Sequence, residues 1–328
     1  MTATRRHALA LAAAAASATA LTAMAGPAWA ERRLGSPVKT LFWVAALTPC
    51  DKDLNFDPGA FRDILAWLKH CGADGVVVLG TTGEFPSFSV AERKVITEVA
   101  LKDKLGMNIM VNPGTPNFPE TLDLSRHAVD HGADGLLVIP PFYYDNPATE
   151  GLTRYYSMLF DQVRIPINLY HIPGTSQVPI SIELLRNLHH YENLAGIKDS
   201  TGDPVGYAKF LEAMPDLNMR TGTGNNLELA LGHGMGAILA EGNVFTKECA
   251  DIFAAYRAGK DIGPPLARLR AGEKLINPHM GYSFGPMKYA LSVRMGGPQT
   301  WARPPYTDPT EAQKAGIREA LAKIKDMA

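Results

Sequence analysis

The amino-acid sequence predicts an α/β fold in which eight parallel strands, each followed by a helix, close into a barrel. Short apolar runs alternate with longer amphipathic segments from residue 41 to about residue 260. The strand runs are largely apolar at successive positions, which is typical of a parallel sheet covered on both faces. The chain of 328 residues is long enough for one such barrel or for two ordinary domains. Eight consecutive β-α units favour the first alternative, a TIM barrel over 31–260.

Each predicted strand is a short apolar run that ends at a polar or glycine-containing turn. The strands are predicted at 42–47, 75–79, 108–111, 135–139, 166–170, 194–198, 218–221 and 236–239. The intervening segments have apolar residues at helical spacing. They predict helices at 58–70, 89–104, 118–131, 149–163, 182–188, 204–214, 226–232 and 246–258.

Two near-repeats mark equivalent turns in this pattern. Gly-Ala-Asp-Gly occurs at 72–75 and again at 132–135, each time between a predicted helix and the next strand. The first glycine of each is a typical helix stop, so we interpret both as structural turns. After residue 258 the pattern changes to helical periodicity with many prolines. This predicts a C-terminal helical appendage over 261–328, packed on the barrel.

The first thirty residues are predicted to be a signal peptide rather than part of the fold. Arg5 and Arg6 precede a weakly apolar, alanine-rich stretch over 8–25, and Ala28-Trp29-Ala30 fits a signal peptidase site. Twin arginines before a weak apolar region favour the Tat type, which exports folded proteins. A retained membrane anchor and a disordered tail are the alternatives. Export predicts a periplasmic location if the source is Gram-negative.

Composition excludes several classes of partner. A formal net charge of −1 and a pI of about 6.8 give no reason to expect nucleic acid or an acidic membrane surface. Beyond the signal, no apolar stretch approaches the roughly 20 residues of a membrane span, so no stable membrane insertion is expected. Cys50, Cys71 and Cys249 lack the spacing of a zinc site, and we expect buried apolar thiols.

Lys198 is the leading candidate for covalent chemistry, because it ends the sixth predicted strand. A lysine at a buried strand end is unusual, and its free amine can condense with a ketone to form a Schiff base. Tyr170 ends the adjacent fifth strand, within reach of that amine, since neighbouring strands lie about 5 Å apart. A phenol beside a cation can shuttle protons. His171 should point to the other face.

The remaining strand ends are predicted to form the walls of the pocket. The second is followed by Gly-Thr-Thr-Gly-Glu at 80–84, where two hydroxyls and backbone N–H groups suit a carboxylate, although a simple tight turn is the alternative. Tyr143 and Tyr144 follow the fourth strand and would line a site or a subunit interface. Asn225 and Asn243 follow the seventh and eighth strands and are candidates for binding substrate hydroxyls.

These motifs, in this order and spacing, resemble the dihydrodipicolinate synthase and N-acetylneuraminate lyase family. The resemblance rests on 80–84, on Tyr170 in a Tyr-x-x-Pro context, and on Gly-Ile-Lys-Asp at 196–199, and it covers essentially the whole mature chain. It implies class I, Schiff-base aldolases and lyases that act on pyruvate or other 2-oxo acids without a metal or organic cofactor. It also implies a homotetramer built as a dimer of dimers.

The resemblance implies roles for individual residues. Lys198 would be the Schiff-base lysine and Tyr170 the proton-relay tyrosine. The substrate carboxylate would be held by Thr81 and Thr82, with Thr81 also in the relay, and Gly222 would lie near the bound substrate. Tyr144 would reach into a neighbouring subunit's site.

One residue departs from the synthase pattern. Thr175 stands where dihydrodipicolinate synthases carry an arginine for the second substrate's carboxylate, and a hydroxyl does not replace an arginine fork. Together with the export signal, it predicts an aldolase or lyase for 4-hydroxy-2-oxo acids, with pyruvate as product or donor, rather than a true dihydrodipicolinate synthase. Thr175 would then border the small-molecule substrate. A sugar-acid dehydratase or hydratase-aldolase, and an inactive exported binding protein, remain the alternatives.

Overall fold

The structure, a computed structural model, describes residues 39–281 and 283–326. The predicted signal peptide over 1–30 lies outside the described residues. Among the described helices, none is long and apolar enough to cross a membrane.

Eight parallel strands form a closed barrel in which β1 pairs with β8 and every other strand pairs with its sequence neighbours. The predicted TIM-barrel fold is therefore confirmed, and each strand lies within two residues of its predicted bounds. The strands are β1 Phe42–Ala45, β2 Gly75–Val78, β3 Asn108–Val111, β4 Gly135–Val138, β5 Ile167–His171, β6 Leu194–Asp199, β7 Asn218–Thr221 and β8 Ala237–Leu239.

Nine helices follow or connect the strands of the barrel in the described part of the chain. They are α1 Pro58–His70, α2 Val90–Lys102, α3 Phe118–Asp130, α4 Thr149–Gln162, α5 Pro173–Ser176, α6 Ile182–Leu188, α7 Pro204–Ala213, α8 Leu227–Gly232 and α9 Thr246–Arg257. The sequence pattern had not indicated α5, a single turn directly after β5. Three further helices complete the chain, α10 Gly263–Met280, α11 Phe284–Met295 and α12 Glu311–Asp326.

Local sequence signals set where these helices begin. Asp57 caps α1 by accepting hydrogen bonds from the backbone N–H groups of residues 59 and 60, and a proline occupies the first helical position. Ser89 and Glu92 form a reciprocal capping box at the start of α2. These caps place each helix start just after a strand-end loop, and therefore hold the loops that carry the site.

The two Gly-Ala-Asp-Gly segments do form equivalent turns. Gly72 has a φ of +100° and Gly132 a φ of +84°, values that a residue with a side chain rarely adopts. The aspartate of each turn then accepts a hydrogen bond from the backbone of the preceding strand, Asp74 from Phe42 N and Asp134 from Ile109 N, both at 2.8 Å. Their role is structural, as predicted.

The C-terminal appendage is helical and makes buried polar contacts with the barrel. Lys288 on α11 lies 2.5 Å from the carboxylate of Glu84, and both side chains are almost completely buried. Glu84 also accepts a hydrogen bond of 2.9 Å from the backbone N–H group of Arg303. The appendage thus holds the loop after β2 in place. The three cysteines are buried and free, as expected from their spacing.

Candidate active site

Lys198 and Tyr170 meet inside the carboxyl end of the barrel. They are paired in the register of β5 and β6, so their side chains point to the same, interior side. The amine of Lys198 donates a hydrogen bond of 3.3 Å to the phenol oxygen and lies 4.4 Å from the ring centroid. Lys198 is 5% exposed and Tyr170 is 3% exposed. The structure therefore brings the two predicted residues into direct contact in a shielded site.

The surroundings of Tyr170 favour loss of its proton. Burial alone raises the pKa of a phenol, but the positive charge of Lys198 opposes this effect. Hydrogen bonds with Thr81, Ser200 and Lys198 act in the same direction, and together these interactions hold the pKa of Tyr170 below its ordinary value. A phenol of lowered pKa beside an amine is suited to general acid–base work.

The loop after β2 brings a hydroxyl to the same phenol. Thr81 Oγ1 lies 3.5 Å from Tyr170 OH, at the limit of a hydrogen bond, and Thr82 is buried next to it. The loop is a tight turn, because Gly83 N and Glu84 N donate hydrogen bonds back to the carbonyls of residues 80 and 81. A tight turn and a binding loop for a carboxylate are therefore compatible readings of this segment.

Gly222 lies against the side chain of Lys198. A Cβ atom at this position would come within 2.9 Å of Lys198 Cε and 2.0 Å of Ser200 Oγ. Its backbone N–H group donates a hydrogen bond of 2.6 Å to the carbonyl of Asp199. The loop after β7 therefore approaches β6 so closely that only glycine leaves the amine in place.

Two other residues considered in the sequence make contacts within the protein that support the fold. His171 points away from the barrel interior, as expected, because its Nδ1 accepts a hydrogen bond of 2.9 Å from Ile180 N and its ring packs on Phe210. Asn243 is fully buried, and its amide bonds to backbone groups of Leu47, Ala45 and Ala240. These bonds join β1 to the end of β8, so we do not retain Asn243 as a substrate ligand.

Three predicted residues lie at the rim and are exposed. Asn225 lies in a 3₁₀ turn after β7, and Thr175 lies in α5 directly after β5. Tyr144 is 75% exposed and makes an edge contact with the ring of Tyr143, which is 81% exposed. Tyr144 is therefore largely open to solvent on the isolated chain.

A pair of carboxylates at the barrel mouth was not predicted. Glu241 follows β8, and its carboxylate accepts hydrogen bonds from backbone N–H groups that include that of Gly224. Glu273 reaches the same turn from α10, since a Cβ on Gly224 would lie 3.0 Å from Glu241 Oε1 and 4.0 Å from Glu273 Oε1. Burial raises the pKa of Glu241, despite these bonds and the positive charge of Lys198.

The second carboxylate of this pair is affected by the first. Burial and the neighbouring charge of Glu241 raise the pKa of Glu273 to about 7. The sequence contained the signal for Glu241, a carboxylate at a strand end. Glu273 lies in the C-terminal appendage, and only the folded chain brings it to the barrel.

A buried guanidinium was also missed. Arg220 on β7 is the register partner of Lys198, so its side chain lies inside the barrel. It donates a hydrogen bond of 2.5 Å to Asn168 Oδ1 and lies over the ring of Trp43. The barrel interior beneath the lysine is therefore partly polar, where apolar packing is usual.

The arrangement can form and use a Schiff base. It combines an amine in a shielded pocket, a phenol that can carry a proton, and hydroxyl groups at hydrogen-bonding distance. These are the parts needed for addition to a carbonyl, loss of water and proton movement.

Comparison with known proteins agrees with this geometry. The chain belongs to the Dihydrodipicolinate synthetase family, whose family model matches residues 40–324. The protein is accordingly a lyase of the class I aldolase type.

Two relatives of the family, one of them a named synthase, resemble the chain to a similar degree. An uncharacterized DapA-like lyase of Chloroflexus aurantiacus is 34% identical over 287 residues, covering 85% of this chain and 95% of the relative. A 4-hydroxy-tetrahydrodipicolinate synthase of Bradyrhizobium diazoefficiens is 30% identical over 286 residues, covering 85% and 94%. Both relatives match over nearly their whole length.

Solved structures with different bound ligands also resemble the chain to a similar degree. YagE of E. coli K12, a prophage protein in complex with pyruvate, has a TM-score of 0.79 and 26% identity, covering 87% of this chain and 98% of that one. CdNal from Clostridium difficile in complex with mannosamine has a TM-score of 0.80 and 25% identity, covering 87% and 99%. Overall similarity therefore does not single out one substrate.

Proposed function

We propose that the protein is a Schiff-base aldolase or lyase that cleaves or forms the C3–C4 bond of 4-hydroxy-2-oxo acids, with pyruvate as product or donor. The observation that carries the proposal is the contact of 3.3 Å between Lys198 Nζ and the phenol of Tyr170. The relatives of the family and the solved complex of YagE with pyruvate support the choice of a 2-oxo acid.

In the cleavage direction, the neutral amine of Lys198 adds to the C2 carbonyl, and water leaves as the iminium forms. The phenolate of Tyr170 then takes the proton of the C4 hydroxyl, the C3–C4 bond breaks, and its electron pair moves into the iminium. An aldehyde departs and leaves an enamine. Protonation at C3 by the Tyr170 phenol and addition of water release pyruvate and restore the amine.

Two features support a substrate other than that of a dihydrodipicolinate synthase. Thr175 stands in place of the arginine that would hold a second carboxylate. Glu241 and Glu273 add two carboxyl groups near the loop after β7, where they can form hydrogen bonds with substrate hydroxyls. A hydroxylated distal end of the substrate therefore fits this mouth.

The Schiff base is tested by borohydride reduction in the presence of pyruvate, followed by peptide mass spectrometry. We expect one reduced pyruvate adduct on Lys198, and none in Lys198→Arg, which keeps the charge. Absence of an adduct on the wild-type chain would refute the mechanism.

The reaction is tested by incubating the enzyme with a panel of 4-hydroxy-2-oxo acids and measuring pyruvate release. Synthase activity is measured in parallel with the substrates of 4-hydroxy-tetrahydrodipicolinate synthase. Release of a dehydrated 2-oxo acid without C–C cleavage would favour the dehydratase. Formation of the adduct without any turnover would favour a binding protein.

We also propose a homotetramer in which Tyr144 completes the neighbouring site. Its exposure of 75% on the isolated chain supports this arrangement. Light scattering measures the assembly. Mixing Lys198→Ala and Tyr144→Phe subunits should restore activity, because some sites then combine an intact lysine with an intact neighbouring tyrosine. No recovery in mixed tetramers would contradict the shared site.

Export by a Tat-type signal over 1–30 is part of the proposal, and rests on the twin arginines and the Ala-Trp-Ala cleavage motif. Replacement of Arg5 and Arg6 by lysine should retain the precursor in the cytoplasm. Equal export of this variant would exclude the Tat route.

A further inference from the structure

A second cluster of chemically active side chains lies on the outside of the barrel. Glu98 is on α2, His127 is on α3, and His131 directly follows α3. The helices run back along the barrel, so the end of α3 lies near the start of β4. Active sites occupy the opposite, carboxyl face of the strands. The cluster is therefore remote from Lys198.

The three side chains converge on a small volume. His127 Nε2 lies 3.1 Å from Glu98 Oε1, and His131 Nε2 lies 4.0 Å from the same oxygen. One ligand atom from each residue lies within 4.8 Å of the other two. The two imidazole rings are 4.1 Å apart between centroids. His131 follows His127 by four positions in the chain, so the two side chains lie on one face at the end of α3.

The hydrogen bonds of the rings leave the converging nitrogens available. His131 Nδ1 lies 2.8 Å from the carbonyl oxygen of His127, so in a neutral ring Nδ1 donates and Nε2 keeps its lone pair. His127 has a backbone hydrogen bond with Lys94. Its Nε2 is shielded from solvent and forms no hydrogen bond in the described part of the chain. Metal-binding histidines typically have such a backbone partner on the other nitrogen.

We propose that Glu98, His127 and His131 bind a divalent transition-metal ion of the Zn²⁺ class. Two imidazoles and a carboxylate are a donor set that Zn²⁺ uses in proteins, with water in the fourth position. Bonds of about 2.0–2.1 Å in a tetrahedron place ligand atoms about 3.3 Å apart. The distances of 3.1 and 4.0 Å to Glu98 Oε1 lie on either side of this value, and all three ligand atoms lie within 4.8 Å of one another.

A simple ion pair between Glu98 and one histidine explains the arrangement less well, because the nitrogens of two imidazole rings lie near the same carboxylate oxygen. The Nε2 atom of His127 is also shielded and has no hydrogen-bond partner among the described residues. The ion would join α2 to α3 and stabilise the folded chain relative to the unfolded chain.

Cobalt binding tests the site on the full chain after removal of any histidine tag. Titration with Co²⁺ should give the intense visible absorption of a tetrahedral complex at one equivalent, and Zn²⁺ should displace it. Zn²⁺ should also raise the melting temperature of the metal-free protein. Weak absorption, or binding without saturation at one equivalent, would overturn the proposal.

Variants identify the ligands. His131→Ala and Glu98→Gln affect partly exposed side chains, so both should fold. Loss of an outer-sphere partner typically weakens metal binding by about 10–100-fold. Each of these variants removes a direct ligand, so each should weaken Zn²⁺ binding by more than this. His233→Ala, at another exposed histidine after a helix, is the matched control and should bind as the wild type. Unchanged affinity in both ligand variants would refute the site.

The pyruvate adduct on Lys198 separates this proposal from the proposed function. It should form equally in the wild type, His131→Ala and Glu98→Gln, because the cluster lies at the other end of the barrel. Failure of adduct formation in all chains, with Co²⁺ binding intact, would affect the aldolase mechanism alone.

Discussion

Replacement of Gly222 by alanine should slow the enzyme strongly while leaving the fold largely intact. The added methyl group would lie 2.9 Å from Lys198 Cε and 2.0 Å from Ser200 Oγ. The serine hydroxyl can rotate away, whereas Cε is next to the reactive nitrogen. Relief of the contact therefore moves the amine relative to Tyr170.

The size of the effect follows from the contact distance. Carbon atoms prefer separations of about 3.5–4.0 Å, so Cε must shift by about 0.6–1.1 Å. Misplacement of a reacting group by about 1 Å lowers the rate about a hundredfold. This factor corresponds to about 2.7 kcal/mol in the activation free energy.

The assay measures how fast the pyruvate adduct forms on Lys198, with borohydride trapping and mass spectrometry at successive times. The melting temperature is measured in parallel. Gly174→Ala is the matched control, since a Cβ there meets nothing within 4 Å and the position lies in α5, the single turn after β5. The control should react at the wild-type rate. A Gly222→Ala enzyme within threefold of wild type would show that the close approach does not position the amine.

Three further predictions concern proton transfer, stability and pH. Tyr170→Phe should lower pyruvate release by about 10²-fold or more in steady-state assays, because the acid–base group is lost. A rate within threefold of wild type would show that Tyr170 does not transfer the proton. Glu84→Gln should lower the free energy of unfolding by about 3–5 kcal/mol in urea titrations, since it leaves the charge of Lys288 buried without its partner. Adding Lys288→Met should recover much of this loss, and equal stability of all three chains would show that the pair is energetically neutral. Folding raises the pKa of Glu273 from 4.5 to about 7, so the folded state binds more protons and stability should fall as pH rises through this window. Glu273→Gln should flatten that fall, and an unchanged pH profile would assign the dependence to other groups.

The contact between Lys198 and Tyr170 was predictable because strand ends in a parallel barrel share one face. Lys198 and Tyr170 each end an apolar run, and neighbouring strands in sequence are neighbours in the barrel. The contact between them follows from order along the chain. The opposite direction of His171 followed from the alternation of side chains along a strand.

The sequence could not predict side-chain contacts whose two partners come from distant parts of the chain. Asn243 had the composition of a ligand, but its amide bonds to the backbone near β1, almost 200 residues away. The support of Glu84 by Lys288 and by the backbone of Arg303 was equally hidden. No local pattern reports which polar groups will be satisfied by such contacts.

The sequence by itself determined the barrel, its eight strand ends and the choice of Lys198 and Tyr170 as the candidate site, because periodicity and strand order are local properties of the chain. The tertiary structure decided three other features. It brought Glu273 of α10 to the barrel mouth beside Glu241, it aligned Glu98 with His127 and His131 across two helices, and it placed Gly222 against Lys198. Each depends on distances between elements, which packing sets and sequence spacing does not.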